Sequence, residues 1–229
     1  QPRITVTTPN GGTYYPQQAL NIRWTSAYLN SSFVNIDFTS DSGSTWIPIV
    51  ASTSNDGSHS WSIPDSISDN CFVRVSESGS PNVNDLGNKF RIIPASLTLT
   101  APNGGELWKG CQNQYIRWTI AGGSGSYRLE YSLDSGSTWT FIANSGGSAY
   151  YWRNIPAKLS SNKGMVRVQD LARNLSDVSD ATLRFVENQD VIVSSPNGGE
   201  QWEAGKTKTL TWVDNLSSMH VYYSNNNGS

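Results

Sequence analysis

Two aspartates stand in the same eight-residue setting, and they are the residues best placed for local chemistry. Asp134 lies in Ser132-Leu133-Asp134-Ser135-Gly136-Ser137-Thr138-Trp139, and Asp41 lies in Thr39-Ser40-Asp41-Ser42-Gly43-Ser44-Thr45-Trp46. A carboxylate followed by small residues accepts backbone N–H bonds inside a tight turn. Gly43 and Gly136 supply the positive-φ position, and Trp46 and Trp139 then pack over the hairpin. Turns of this kind also take up calcium, but a good calcium site gathers several carboxylates, and here each aspartate stands among serines. The spacing therefore predicts structural turns built by Asp41, Gly43, Trp46, Asp134, Gly136 and Trp139, with no metal.

Other catalytic constellations are thin. The two histidines, His59 and His220, are far apart in sequence, and neither His-x-x-x-His nor Cys-x-x-Cys spacing occurs, which argues against zinc. His59 and His220 are both expected at exposed strand positions. There is no Gly-x-Ser-x-Gly elbow and no phosphate-binding glycine loop. Glu130, Asp170, Asp177 and Asp180 are scattered over strands and turns; a carboxylate pair for glycoside hydrolysis forms in space, where spacing alone does not see it. The expectation is a protein with no enzymatic activity, no catalytic residues and no cofactor. Cys71 and Cys111 do not occupy matching repeat positions, so the expectation is free, partly buried thiols or an intermolecular bridge. A net charge of −2 gives no basic field for nucleic acid or an anionic membrane. No apolar run is long enough to span a membrane. The chain enters a strand pattern directly after Gln1-Pro2-Arg3, as a processed secreted protein does.

The elements that carry these residues repeat. Pro9-Asn10-Gly11-Gly12 recurs from Pro102 and again from Pro196, at intervals of 93 and 94 residues. Ile22-Arg23-Trp24 returns as Ile116-Arg117-Trp118 and as Leu210-Thr211-Trp212, and Phe72-Val73-Arg74-Val75 is echoed by Met165-Val166-Arg167-Val168. Ile4-Thr5-Val6, Leu20 to Trp24 and Val34 to Phe38 alternate with period two, and so do their counterparts, the third repeat's Met219, Val221 and Tyr223 included. About seven short strands per repeat, with turn signals between them, predict an all-β chain of tandem immunoglobulin-like antiparallel β-sandwiches. The boundaries are residues 1–94 for repeat one, 95–188 for repeat two and 189–229 for an incomplete repeat three holding its first three strands. All nine tryptophans fall on repeat positions, Trp108 and Trp202 matching Tyr15 of repeat one, so core packing outweighs a sugar platform. The best non-repeated aromatic surface is Tyr150-Tyr151.

The turn motif fits the Asp-box of sialidase propellers, where the box is a fold element outside the active site. Pro-Asn-Gly-Gly-Glu-x-Trp, then Ile-Arg-Trp, then Tyr-Ser-x-Asp-x-Gly-x-Thr-Trp resembles the immunoglobulin-like repeat of secreted, Bacteroidetes-type bacterial surface proteins. It is also similar to the N-terminal domain of the yeast Ser/Thr-rich cell-wall family. Repeat one departs at Thr13-Tyr14-Tyr15. The resemblance implies an extracellular or cell-surface chain and supplies no catalytic residues. Asp65-Ser66-Ile67 resembles the Bacteroidetes O-glycosylation pattern, making Ser66 a candidate acceptor, and Asn30, Asn174 and Asn215 begin Asn-x-Ser sequons.

The functional expectation is a structural or adhesive repeat region of a larger secreted or cell-surface protein: a stalk, a surface-layer component or a filament subunit. The alternative is a carbohydrate-binding accessory region of a secreted hydrolase. Expected partners are other protein subunits or cell-surface components, and glycans, with no nucleic acid and no membrane insertion. Repeat three stops inside an Asp-box-like turn, leaving Val191, Val193, Trp202, Leu210, Trp212, Val221 and Tyr223 without an opposing sheet. Missing strands are expected either from a continuing polypeptide or from a neighbour by strand addition.

Overall fold

The computed structural model describes residues 1–188, 191–213 and 219–225. Its described elements are all strands, and the chain divides into two compact units, Gln1–Ser96 with Ile120–Ser124, and Leu97–Thr119 with Gly125–Ser229.

In the first unit, β1 (Arg3–Thr8) alternates toward the core and then meets Pro9-Asn10-Gly11-Gly12. Proline has no N–H to donate, and Gly11 and Gly12 hold φ of 81° and 96°, so the strand cannot continue straight. The chain instead changes sheets, entering β2 (Thr13–Tyr14). After β3 (Ala19–Ala27), β4 (Phe33–Thr39) and β5 (Ile47–Ser54) come β6 (Ser58–Ser62), β7 (Ser68–Glu77), β8 (Ser80–Leu86) and β9 (Phe90–Ile92). One sheet has the order β1-β3-β6, and the other runs β2-β9-β7-β4-β5 with β8 paired to the far part of β7. All these pairs are antiparallel except β2 with β9, which are parallel. Period two puts Ile22 and Trp24 of β3 inward, against Val34, Ile36 and Phe38 of β4 and Val73 and Val75 of β7. Arg23, on the other side of the pleat, stays exposed.

The second unit repeats the plan with β10 (Ser96–Ala101), β11 (Leu107–Lys109), β12 (Gln114–Ala121), β13 (Tyr127–Ser132) and β14 (Thr140–Ser145). These are followed by β15 (Ala149–Trp152), β16 (Ser161–Asp170), β17 (Leu175–Val178) and β18 (Leu183–Val186). Its sheets are β10-β12-β15 and β11-β18-β16-β13-β14, with β17 on β16 and β11 parallel to β18. Both sandwiches are immunoglobulin-like, and the chain is a tandem of them. Each carries two strands beyond the seven the sequence suggested. β2 and β11 are too short for a period to register, and β8 and β17 lie in polar hairpins.

In repeat three, β19 (Ile192–Ser195) pairs antiparallel with β20 (Thr211–Val213). The strand expected around Met219, Val221 and Tyr223 does not form among the described residues, and His220 is therefore on no strand. The joint residues Gln189 and Asp190, the Asn215 sequon and Asn226–Ser229 of the last turn lie outside the described residues.

Candidate functional site

Each aspartate turn joins the strand that ends at Thr39 or Ser132 to the one that follows. The Asp41 carboxylate accepts from Thr39 Oγ1 at 2.6 Å, Thr45 N at 2.9 Å and Thr45 Oγ1 at 2.6 Å. Asp134 repeats this with Ser132 Oγ at 2.7 Å, Thr138 N at 2.8 Å and Thr138 Oγ1 at 2.6 Å. The buried hydroxyl of Thr39 or Ser132 in turn accepts from the N–H of Gly43 at 3.0 Å or of Gly136 at 2.8 Å. These bonds favour the ionised form. Asp41 is held at about 2, first by the Thr39 hydroxyl and then by Thr45. Asp134 is held at about 2, first by the Thr138 hydroxyl and then by Ser132. Both carboxylate oxygens are used inside the turn, which leaves a poor cation ligand and a well-made hairpin.

Gly43 and Gly136 carry φ of 91° and 88°, where a β-carbon is strained, and a Cβ on Gly136 would sit 3.2 Å from the Trp139 ring. Trp46 and Trp139 are not core residues. They lie on the outer face, half-exposed, each beneath an arginine of the neighbouring strand: Arg74 4.2 Å from the Trp46 centroid and Arg167 4.2 Å from that of Trp139. Each arginine is also ion-paired. Arg74 donates to Asp37 at 2.9 Å. Arg167 and Arg128 converge on Glu130, and Arg128 covers Phe141. Burial alone would raise the Glu130 pKa, but the hydrogen bonds from Arg167 and Arg128 outweigh it and hold the group ionised.

Other carboxylates are likewise spent on the scaffold. Glu106 accepts from the N–H groups of Asn103 at 2.7 Å and Gly104 at 2.8 Å, and Glu200 does the same with Asn197 and Gly198. These bonds, that from Asn197 first, lower the Glu200 pKa. They explain why Glu follows Pro-Asn-Gly-Gly in two repeats. Asp85 and Asp177 reach across the sandwich to the backbone N–H of Val6 and Leu99, both at 2.7 Å. Glu77 is buried at the end of β7 and accepts from the N–H groups of Asn30 and Ser31. Asp180 closes onto Asn103. Sequence reasoning missed most of these ties, although the equal positions of Asp85 and Asp177 in two repeats were a signal.

Among the tryptophans, Trp24, Trp108, Trp118 and Trp152 are buried and Trp61 half-buried, as core positions should be. Pairing of Tyr14 with Ile92, and of Trp108 with Phe185, makes Tyr14 the counterpart of Trp108, correcting the assignment to Tyr15. Tyr14 packs edge-on against Phe90, and burial raises its pKa. Trp202 and Trp212 remain 45% and 39% exposed. With Val193, Leu210 and Val221 they line an apolar cavity of about 410 Å³. Cys71 and Cys111 are both free thiols, and burial raises the pKa of Cys71. His59 is half-buried on β6. Ser66 is half-buried in the loop from β6 to β7, while Asn30 and Asn174 are exposed. No group of three or more metal-ligating side chains occurs among the described residues.

No protein-family model matches the chain, and no curated protein does. Solved structures that align with it include tandem modules. The fibronectin(III)-like modules of Clostridium thermocellum CbhA align at 14% identity over 87% of this chain and all of that one, with a TM-score of 0.27. The I9-I11 tandem from titin aligns at 10% identity over 84% of this chain and 68% of that one, with a TM-score of 0.42. Chimeric titin Z1Z2 aligns at 9% identity over 81% and 97%, with a TM-score of 0.41. Scores this low carry no argument about function; the fold rests on the strand order and pairing above.

Proposed function

We propose that the chain is a non-enzymatic, extracellular repeat region of a larger secreted or cell-surface protein, and that its work is mechanical and adhesive, as a stalk, surface-layer or filament component. The observation that carries this reading is the parallel pairing of an early strand with the last strand in each sandwich. In the first, Arg91 N donates to Gly12 O and Ile93 N to Tyr14 O, both at 3.1 Å. In the second, Arg184 N donates to Glu106 O at 2.8 Å and Gly110 N to Val186 O at 2.9 Å. Tension along the chain loads such a pair in shear, so its hydrogen bonds must fail together and not one after another. The use of most candidate acids as internal ties supports the non-enzymatic part. The open apolar face of repeat three supports assembly with other subunits, a strand added to β19–β20 being the simplest cover.

The test is single-molecule extension of the chain held at its two ends. Two force peaks are expected, each releasing about 30 nm as one sandwich of roughly 90 residues extends. Extension with no measurable peak contradicts the mechanical reading.

A further inference from the structure

One surface is present in a single repeat. On the outer face of β10-β12-β15, Tyr115 lies directly opposite Tyr151, their ring centroids 4.7 Å apart. Arg117 covers the Tyr115 ring at 4.4 Å, and Arg153 covers Tyr151 at 5.4 Å. The four side chains form a ladder in the order Arg-Tyr-Tyr-Arg, with the tyrosines 48% and 37% exposed and both arginines exposed. The fold does not need it. In the first sandwich the same register pairs Asn21 with Ser60, and Ser62 stands where Arg153 would be.

We propose that this ladder is a binding face for a carboxylated polysaccharide, a polymer of uronic acid residues. The faces of the rings are taken by each other and by the guanidinium groups. What remains for a partner is the edge of the ladder: guanidinium N–H groups at its ends and two phenol hydroxyls between them. Neither arginine forms a salt bridge among the described residues. β10, β12 and β15 contain no Asp or Glu, so this face is positive on a chain whose net charge is −2. Guanidinium edges match carboxylates in planar, two-point hydrogen bonds, and phenols serve sugar hydroxyls as donor or acceptor. Stacking fixes the guanidinium planes before binding, which lowers the ordering cost. Single-stranded nucleic acid is held by bases stacked on open aromatic faces, and here those faces are already covered by the neighbouring ring and the guanidinium groups. The proposal is independent of the stalk reading, since a stalk with or without a glycan face resists tension equally.

The test titrates the full chain with polygalacturonate, alginate and hyaluronate, with methyl-esterified polygalacturonate, and with a single-stranded thymidine oligonucleotide. The variants are Y115N/Y151S, which installs the pair used by the first sandwich, and R117S/R153S. Melting temperature and near-ultraviolet circular dichroism check folding. Binding of at least one uronate polymer is expected, weakened about tenfold or more by R117S/R153S, the size of losing one or two charge-assisted hydrogen bonds, and by Y115N/Y151S, which removes both phenols and the rings that hold the guanidinium planes. Esterification should weaken polygalacturonate binding if that is the polymer bound. No binding of any of the three polymers overturns the proposal. So does binding that persists in either folded variant, or tighter binding of the oligonucleotide than of any uronate.

Discussion

Asp41 and Asp134 act through the hydrogen bonds that their ionised forms accept, so the turns have a defined pH dependence. Each folded pKa, about 2, lies below the ordinary value of 3.8. Depression of this sign contributes stability that is fully present above about pH 4 and is lost as pH falls toward 2. D41N/D134N should melt below the parent at pH 6, and the gap should narrow between pH 4 and pH 2 in scanning calorimetry. A gap that stays constant over that range would show that the carboxylates' charge does not stabilise the turns. The tryptophans divide by surroundings. Trp118→Ala empties a core position and should cost about 3–5 kcal/mol in chemical denaturation. Trp139→Ala removes a half-exposed ring stacked on Arg167 and should cost about 1–2 kcal/mol. Equal losses would mean that Trp139 is as deeply packed as Trp118.

Elements are joined by side chains reaching from one sheet to a backbone group of the other, and Asp177 is the clearest case. Its carboxylate on β17 accepts from Leu99 N of β10, so Asp177→Ala strands that N–H and should cost about 1–3 kcal/mol. The same substitution at Asp85 should destabilise the first sandwich by a similar amount through Val6. Hydrogen exchange at Leu99 and Val6 would report each effect locally; unchanged protection would deny the tie. Much of this scaffold was legible in the sequence. Period-two alternation located β3, β4 and β7, and Pro-Asn-Gly-Gly falls between β1 and β2 and again between β10 and β11. What escaped depends on register between distant strands. Tyr14 and Tyr15 are adjacent and both aromatic, and only pairing with β9 shows that Tyr14 takes the tryptophan position. Trp46 follows a turn, where alternation has no phase, and the arginine that covers it comes from β7. Tyr151 was visible as an unrepeated aromatic, but its partner Tyr115 is separated from it by more than a strand and a loop. The Asn21 and Ser60 found at the equivalent places were the signal that could have exposed the pair.

At the scale of the whole molecule, two sandwiches of one plan sit on one chain, and each places an early strand parallel to its last. Mechanical resistance should therefore reside in a few backbone hydrogen bonds and not in total stability. The two sandwiches also make an internal control, because a change in one leaves the other as reference. Arg91→Pro removes the N–H that donates to Gly12 O and, with the side chain, the Nε that donates to Thr13 Oγ1 on the same strand pair; that side chain is exposed and outside the core. The most direct measurement is force extension of the parent and of this variant, with a melting curve confirming that the first sandwich still folds. One of the two force peaks should drop in R91P while the other keeps the parent value. Two unchanged peaks from a folded R91P chain would contradict it, because the parallel pair would then not be what holds the sandwich against tension.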